Sequence, residues 1–355
     1  MNNSSTYCLI MAGGVGSRFW PLSTNDNPKQ FLDILGTGKS LIQLTFDRFK
    51  QIVPEKNIYV LTNLDYKNKV IKQLGINENQ VLCEPQRKNT APCLAYATAK
   101  IHKKDSNALM LVSPADHLII NENQFFKDLE TGLDKANSSD ELVTFGIKPN
   151  RPDTGYGYIE FDGLNSSINT VAKVKQFREK PNLDLAKKFI SQGNFYWNSG
   201  MFAWKSNTIK NSFMKYSNEL FKIFFEDDLN YNTENEANFL NDAFQKCEDI
   251  SIDYAILEND PNTSVVLSSF DWSDLGTWGS LKGLLKKDKN GNSINNDKTY
   301  FFNSTDCLVK ANTDKTILID GLKGYIIIDT EDKLMILNSE NEQELKSYLK
   351  NINQK

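Results

Sequence analysis

The sequence predicts an α/β protein built on a doubly wound, mostly parallel sheet, with a small β unit and a final helix at its C-terminal end. Three observations carry that reading. Short apolar runs alternate with amphipathic helical patterns through the first 150 residues. A glycine-rich loop follows the first apolar run directly. After a polar stretch at 286–298 (KKDKNGNSINNDK), apolar runs return about nine residues apart between Gly- and Asp-rich turns.

The first strands are expected at 7–12, 58–62, 81–83, 108–112 and 142–146. Between them, Ser40 and Gln43 form a capping box ahead of a helix whose Leu41, Leu44, Phe49 and Ile52 share one face. An Ala-rich helix covers 90–103, with Pro92 tolerated in its first turn, and a third helix carries Phe125, Phe126, Leu129 and Leu133. Such alternation places ligands at the carboxyl ends of parallel strands. From 155 onward the pattern is mixed. Strands at 156–161, 171–177, 197–204 and 264–270 interleave with helices and read as the same sheet continued, so 1–287 forms one domain. The second, 288–355, has apolar runs starting at Leu308, Ile317, Ile326 and Leu334. It ends in a helix capped by Ser339 with Glu342 and striped by Leu345, Tyr348, Leu349 and Ile352.

Composition narrows the chemistry. A formal net charge of −4 disfavours a nucleic-acid partner, which calls for a basic surface. The two histidines, His102 and His117, leave little room for His-based zinc or a Ser–His pair. Five scattered cysteines without a CxxC read as buried thiols in a reducing compartment. With no apolar run near the ~20 residues of a membrane span and no signal-peptide pattern, the expectation is a cytoplasmic protein without a membrane partner.

Several loops at strand ends suit phosphate chemistry. Gly13-Gly14-Val15-Gly16-Ser17-Arg18 lets successive N–H groups turn toward an anion, and Arg18 and Lys29 add cations. No Gly-Lys-Ser/Thr closes it, and Phe19 occupies the third-glycine position of a dinucleotide fingerprint. Glu84-Pro85 with Asn89-Thr90-Ala91-Pro92 either caps a helix or reads a base. A carboxylate can accept from the adjacent donors of guanine, a pair adenine lacks. Asp116 and Asp274 sit in turns after strands, where carboxylates make turns or hold Mg²⁺; His117 reads as structural. Gly155-Tyr156-Gly157-Tyr158 offers close backbone approach or merely a bend. Glu179-Lys180-Pro181 ends a strand, and Asn198-Ser199-Gly200 marks a bulge or a contact.

Together and in order, GGVGSRFWPLS with PKQF, EPQRKNTAP, SPADHLI, TGYGYIEF, FREKP, WNSGMF, SIDYAILE and DWSDLGTW resemble the nucleotidyltransferase family that makes nucleotide sugars. They extend from Met11 to Trp278; Thr24 and Lys88 stand where relatives more often have Arg. The resemblance implies a Rossmann-like nucleotidyltransferase fold and a short C-terminal assembly domain that makes a homodimer. It implies Mg²⁺-dependent transfer of GMP from GTP to a sugar 1-phosphate, with mannose 1-phosphate as the nearest match. By the same resemblance, Gly13, Gly14, Gly16, Ser17 and Arg18 would hold the triphosphate, with Lys29 on the phosphates during transfer. Glu84, Asn89 and Thr90 would face the nucleoside, and Asp116 and Asp274 would carry Mg²⁺. Gly157, Glu179 and Asn198 would contact the sugar, and Lys180 its phosphate. Another sugar (a heptose, for example), another base, or a non-catalytic nucleotide-sugar sensor are the rival readings.

Overall fold

The computed structural model describes residues 5–163, 168–226, 228–294, 297–311 and 314–353. The chain forms two compact units, one from residues 1–13, 45–115 and 119–272, the other from 14–44, 116–118 and 273–355.

The larger unit holds nine strands in one sheet among the described residues. They are β1 (Thr6–Met11), β2 (Ile58–Asn63), β3 (Val81–Glu84), β4 (Leu109–Pro114), β6 (Leu142–Ile147), β7 (Tyr158–Phe161), β8 (Val171–Arg178), β9 (Phe195–Lys205) and β10 (Thr263–Ser268). Two-residue strands, β5 (Leu118–Ile119) and β11 (Trp272–Ser273), lie outside that sheet. The order is β3-β2-β1-β4-β9-β6-β10-β8-β7. Pairing is parallel from β3 through β4 and again between β6 and β10, while β9 opposes β4, β6 and β7, and β8 opposes β10 and β7. The sheet is thus mixed beyond β4. Pairing direction is set by the connections, which the apolar runs do not encode.

β1, β2 and β6 are buried almost throughout, as continuous apolar strands covered on both faces should be. The helices are α1 (Leu41–Phe49), α2 (Lys67–Leu74), α3 (Thr90–Lys104), α4 (Glu122–Ser138), α5 (Leu183–Gln192), α6 (Ser206–Tyr216), α7 (Asn218–Phe221), α8 (Glu236–Lys246), α9 (Trp278–Lys282) and α10 (Leu345–Asn353). Small side chains explain the depth of α3. Residues 91–99 are buried continuously, and four of them are alanines that let the helix lie close to its neighbours. No helix among the described residues is long and apolar enough to cross a membrane. The five cysteines are free thiols, four of them buried.

In the smaller unit the tail strands alternate between two small sheets. β12 (Ser293–Ile294), β14 (Leu308–Ala311) and β16 (Tyr325–Asp329) pair in parallel in one, and β13 (Thr299–Phe302) and β15 (Ile317–Asp320) in the other. Leu308 lies opposite Ile326, and Thr299 opposite Ile317, so these two turns of the coil take 18 residues each (326 − 308, 317 − 299), while the first, from Ser293 to Leu308, takes 15 (308 − 293). β17 (Leu334–Asn338) closes the first sheet antiparallel to β16. The core that belongs to this tail alone is small, made of Val309, Ile319 and Ile327. Phe19, Leu41, Leu275 and Trp278 share one core with Leu308, Ile326, Met335 and Leu345. The compact unit therefore starts well before residue 288, the boundary read from the composition shift.

The turn before α10 also differs from expectation. Asn338, not Ser339, caps the 3₁₀ turn Ser339–Glu344 by accepting from the Glu340 N–H. Glu342 is free to turn inward and accepts from the Gly279 N–H at 2.7 Å, so it serves as a cap for α9.

Candidate active site

Within the smaller unit, Gly16, Ser17, Arg18, Lys29, Asp116, His117, Asp274, Gly276 and Lys346 line one polar cavity of about 230 Å³. Three separate stretches of chain thus deliver the glycine loop, both expected cations and both expected metal-site carboxylates to one place. Gly13 and Gly14 do not line it, and a Cβ at either would meet nothing within 4 Å.

Lys29 organises the cavity. Its N–H donates to the Val15 carbonyl at 3.0 Å, and its stem lies against the Gly16 Cα. The side chain is only 5% exposed, and its ammonium meets Asp116 Oδ2 at 2.8 Å and donates to the Asp274 carbonyl at 2.6 Å. Gly16 has φ +72°, and a Cβ there would overlap the Lys29 Cβ, so close approach and backbone hand both require glycine. Phe19, buried against Trp278 at 4.7 Å between ring centroids, pins the short turn Ser17–Phe19 that carries Arg18. The Trp278 indole N–H donates to the Trp20 carbonyl at 3.1 Å. The residue that breaks the dinucleotide fingerprint is therefore a core anchor for the loop.

Burial works to raise the Asp116 carboxyl, but Lys29 and then His117 outweigh it and hold it below its ordinary value. His117 Nε2 lies 3.9 Å from Asp116 Oδ1, so this histidine faces the cavity. Asp274 folds back, its Oδ1 accepting from the Gly276 N–H at 2.9 Å while Leu275 takes φ +45°.

Two further groups lie in the larger unit. The first is the cluster expected to meet a sugar. Gly157 accepts from the Asn198 N–H at 2.8 Å, and a Cβ on Gly157 would stand 2.5 Å from Glu179 Oε2. Asn198 donates through Nδ2 to Asp253 Oδ1 at 2.7 Å and accepts through Oδ1 from the Gly200 N–H at 3.1 Å. Lys180, at φ +43°, is exposed and pairs with Glu179 at 2.5 Å. Asp253, from the SIDYAILE stretch, is the member that sequence reading gave no role. Its only signal was a place inside a matched stretch. Burial, and then repulsion from Glu179, push its carboxyl up to about 6.

That value carries a prediction. Between about pH 4 and 6 the folded chain holds a proton on Asp253 that the unfolded chain has released, so its contribution to stability falls as pH rises through that window. Asp253→Asn should relieve the penalty. Its melting temperature relative to the parent should rise from pH 4 to pH 7. A difference constant with pH would show that Asp253 ionises without cost.

The second group is Glu84, Asn89 and Thr90. Glu84 ends β3 and is buried; burial, opposed by the Cys93 thiol and Arg87, raises its carboxyl to about 7. Asn89 (φ +64°) accepts from the Thr90 N–H at 3.0 Å at the head of α3. The Thr90 hydroxyl accepts from the Ile252 N–H at 2.9 Å. Asn89 thus serves as a cap, and the Thr90 oxygen already has a backbone partner.

Comparison with known proteins covers nearly the whole chain. The family described as nucleotidyl transferase matches residues 7–291. The chain is 34% identical over 353 residues to a mannose-1-phosphate guanylyltransferase of Klebsiella pneumoniae, spanning 98% of this chain and 74% of that one. It is 36% identical over 357 residues to another from Salmonella montevideo, spanning 97% and 73%. A crystal structure of a Thermus thermophilus protein called mannose-1-phosphate geranyltransferase superposes with a TM-score of 0.88 at 28% identity, over 98% of this chain and 99% of that one.

Proposed function

Since the chain belongs to the nucleotidyl transferase family, we propose that it transfers GMP from GTP to mannose 1-phosphate, giving GDP-mannose and pyrophosphate. The observation that carries the chemistry is the single cavity holding Gly16, Arg18, Lys29, Asp116 and Asp274. An oxygen of the sugar phosphate attacks the α-phosphorus of GTP in line, the bond to the bridging oxygen breaks, and pyrophosphate leaves with the electron pair. The attacking oxygen is already anionic at neutral pH, so the step needs no general base. Catalysis is then positioning plus neutralisation of charge.

The glycine loop and Arg18 bind the phosphates, and Lys29 offsets charge at the transferring group. Gly13, Gly14 and Ser17 complete that loop. Glu84, Asn89 and Thr90 face the nucleoside; Gly157, Glu179 and Asn198 the sugar; Lys180 its phosphate. A divalent metal, Mg²⁺ by preference, fits the donor set. Two carboxylates line one polar cavity, and no group of three acidic, His or Cys side chains placed to share an ion occurs among the described residues. Mg²⁺ takes one or two carboxylates plus substrate phosphates. Asp116 and Asp274 would hold it. When bound it would supply charge neutralisation between the two anionic substrates. The reading extends to a doubly wound, Rossmann-like sheet, a cytoplasmic location, and a homodimer assembled through 288–355.

The test is pyrophosphate release from each of four NTPs against a panel of sugar 1-phosphates that includes mannose and a heptose. GTP with mannose 1-phosphate should lead, and GTP should exceed ATP by about 5–150-fold in kcat/KM, the scale of one buried polar group left unpaired. Since Glu84 must be ionised to accept from guanine, that preference should shrink from pH 8 to pH 6. Equal rates for all NTPs would overturn the guanine reading. No release from any pair would favour a nucleotide-sugar sensor.

A further inference from the structure

Lys346, in the first turn of α10, lines the same cavity as Arg18, Lys29, Asp116 and Asp274. Nothing in the glycine loop predicts it, since 317 positions separate it from Lys29 (346 − 29). Its position is nevertheless fixed from both sides. Leu345, the preceding residue, is 3% exposed in the core that contains Phe19 and Leu275, the neighbours in sequence of Arg18 and Asp274. Four residues before Lys346, Glu342 holds the Gly279 N–H. α10 also runs beside the Ser17–Phe19 turn, with backbones within 8 Å. The helix is thus seated on the elements that carry the loop.

The charges of the cavity leave a place for this lysine. Lys29 and Asp116 neutralise each other at 2.8 Å. Lys346 is exposed, and among the described residues its ammonium has no ion pair or hydrogen bond. An ammonium ion held at the mouth of an anion-binding loop, without a carboxylate of its own, is matched by a polyphosphate.

We propose that Lys346 binds the triphosphate of the nucleotide, which makes the C-terminal helix part of the nucleotide site and not an assembly element alone. The inference rests on the guanylyl-transfer reading above.

The experiment compares the full-length parent with Lys346→Ala, Lys346→Arg and Lys350→Ala, the last removing an exposed cation one turn further along α10. Steady-state kinetics are measured with GTP and mannose 1-phosphate varied separately, and melting temperature is read alongside. Lys346→Ala should raise KM for GTP about tenfold, the effect of one charge-assisted contact, and leave KM for mannose 1-phosphate within about twofold. Lys346→Arg should recover most of that loss. Lys350→Ala should match the parent, and all four proteins should melt together, which separates binding from folding. An unchanged KM for GTP in Lys346→Ala, or a rise confined to mannose 1-phosphate, overturns the assignment. Failure of the guanylyl-transfer reading would look different, because the parent itself would then release no pyrophosphate.

Discussion

Asp116→Asn and Asp274→Asn should each lower kcat by roughly 10²-fold or more, the scale of losing one preorganised charge at a transferring group. The two carboxylates serve one cavity, so the double variant should lose much less than the product of the single losses. Stability should separate them. Asp116 is the ion-pair partner of buried Lys29, and its carboxyl, held below its ordinary value by Lys29 and His117 against the effect of burial, adds stability at neutral pH. That contribution is lost as pH falls through the depressed value. Asp116→Asn should therefore melt below the parent at pH 7, with the gap closing in acid. In Asp274→Asn the amide oxygen still accepts from the Gly276 N–H and the Lys29 ammonium keeps the backbone carbonyl at 274, so the melting temperature should fall less than in Asp116→Asn. Full turnover by either variant at saturating Mg²⁺ would remove these residues from the chemistry.

Gly16→Ala is the second large effect. A methyl group at φ +72° costs about 1–2 kcal/mol of backbone strain, and it would displace the Lys29 stem as well. Because displacements near 1 Å cost about 10²-fold in rate, kcat/KM should fall by at least that factor, with a lower melting temperature. Gly14→Ala provides the contrast. Its Cβ meets open space, so stability should hold and any loss should appear as a higher KM for GTP. If Gly16→Ala keeps both rate and melting temperature, the loop does not position Lys29.

Much of the frame was legible because it is local. The apolar runs starting at Leu308, Ile317, Ile326 and Leu334 are strands, and β1, β2, β3, β4 and β6 fall within two residues of the runs that announce them. The glycine loop with Arg18 and Lys29 was readable because phosphate chemistry demands those residue types near one another. What escaped is non-local. That β9 opposes β4, that Glu342 caps α9, and that Lys346 reaches the cavity all depend on segments meeting across long stretches of chain. Asp253 escaped for another reason. A lone Asp has no pattern of its own, and only contact with Asn198 and Glu179 gives it meaning.

The shared core of the smaller unit also has a consequence for the order of events on the ribosome. Phe19 cannot be enclosed until Trp278 and Leu345 exist, and Leu345 follows it by 326 residues (345 − 19). At about 5–20 residues per second, the loop that carries Arg18 waits roughly 16–65 s for its last packing partner. The sheet strands β1 to β4 need only the first 114 residues and can pair long before then. A nascent chain halted near residue 300 would thus carry paired sheet strands beside an unfinished phosphate loop, so binding competence is acquired last.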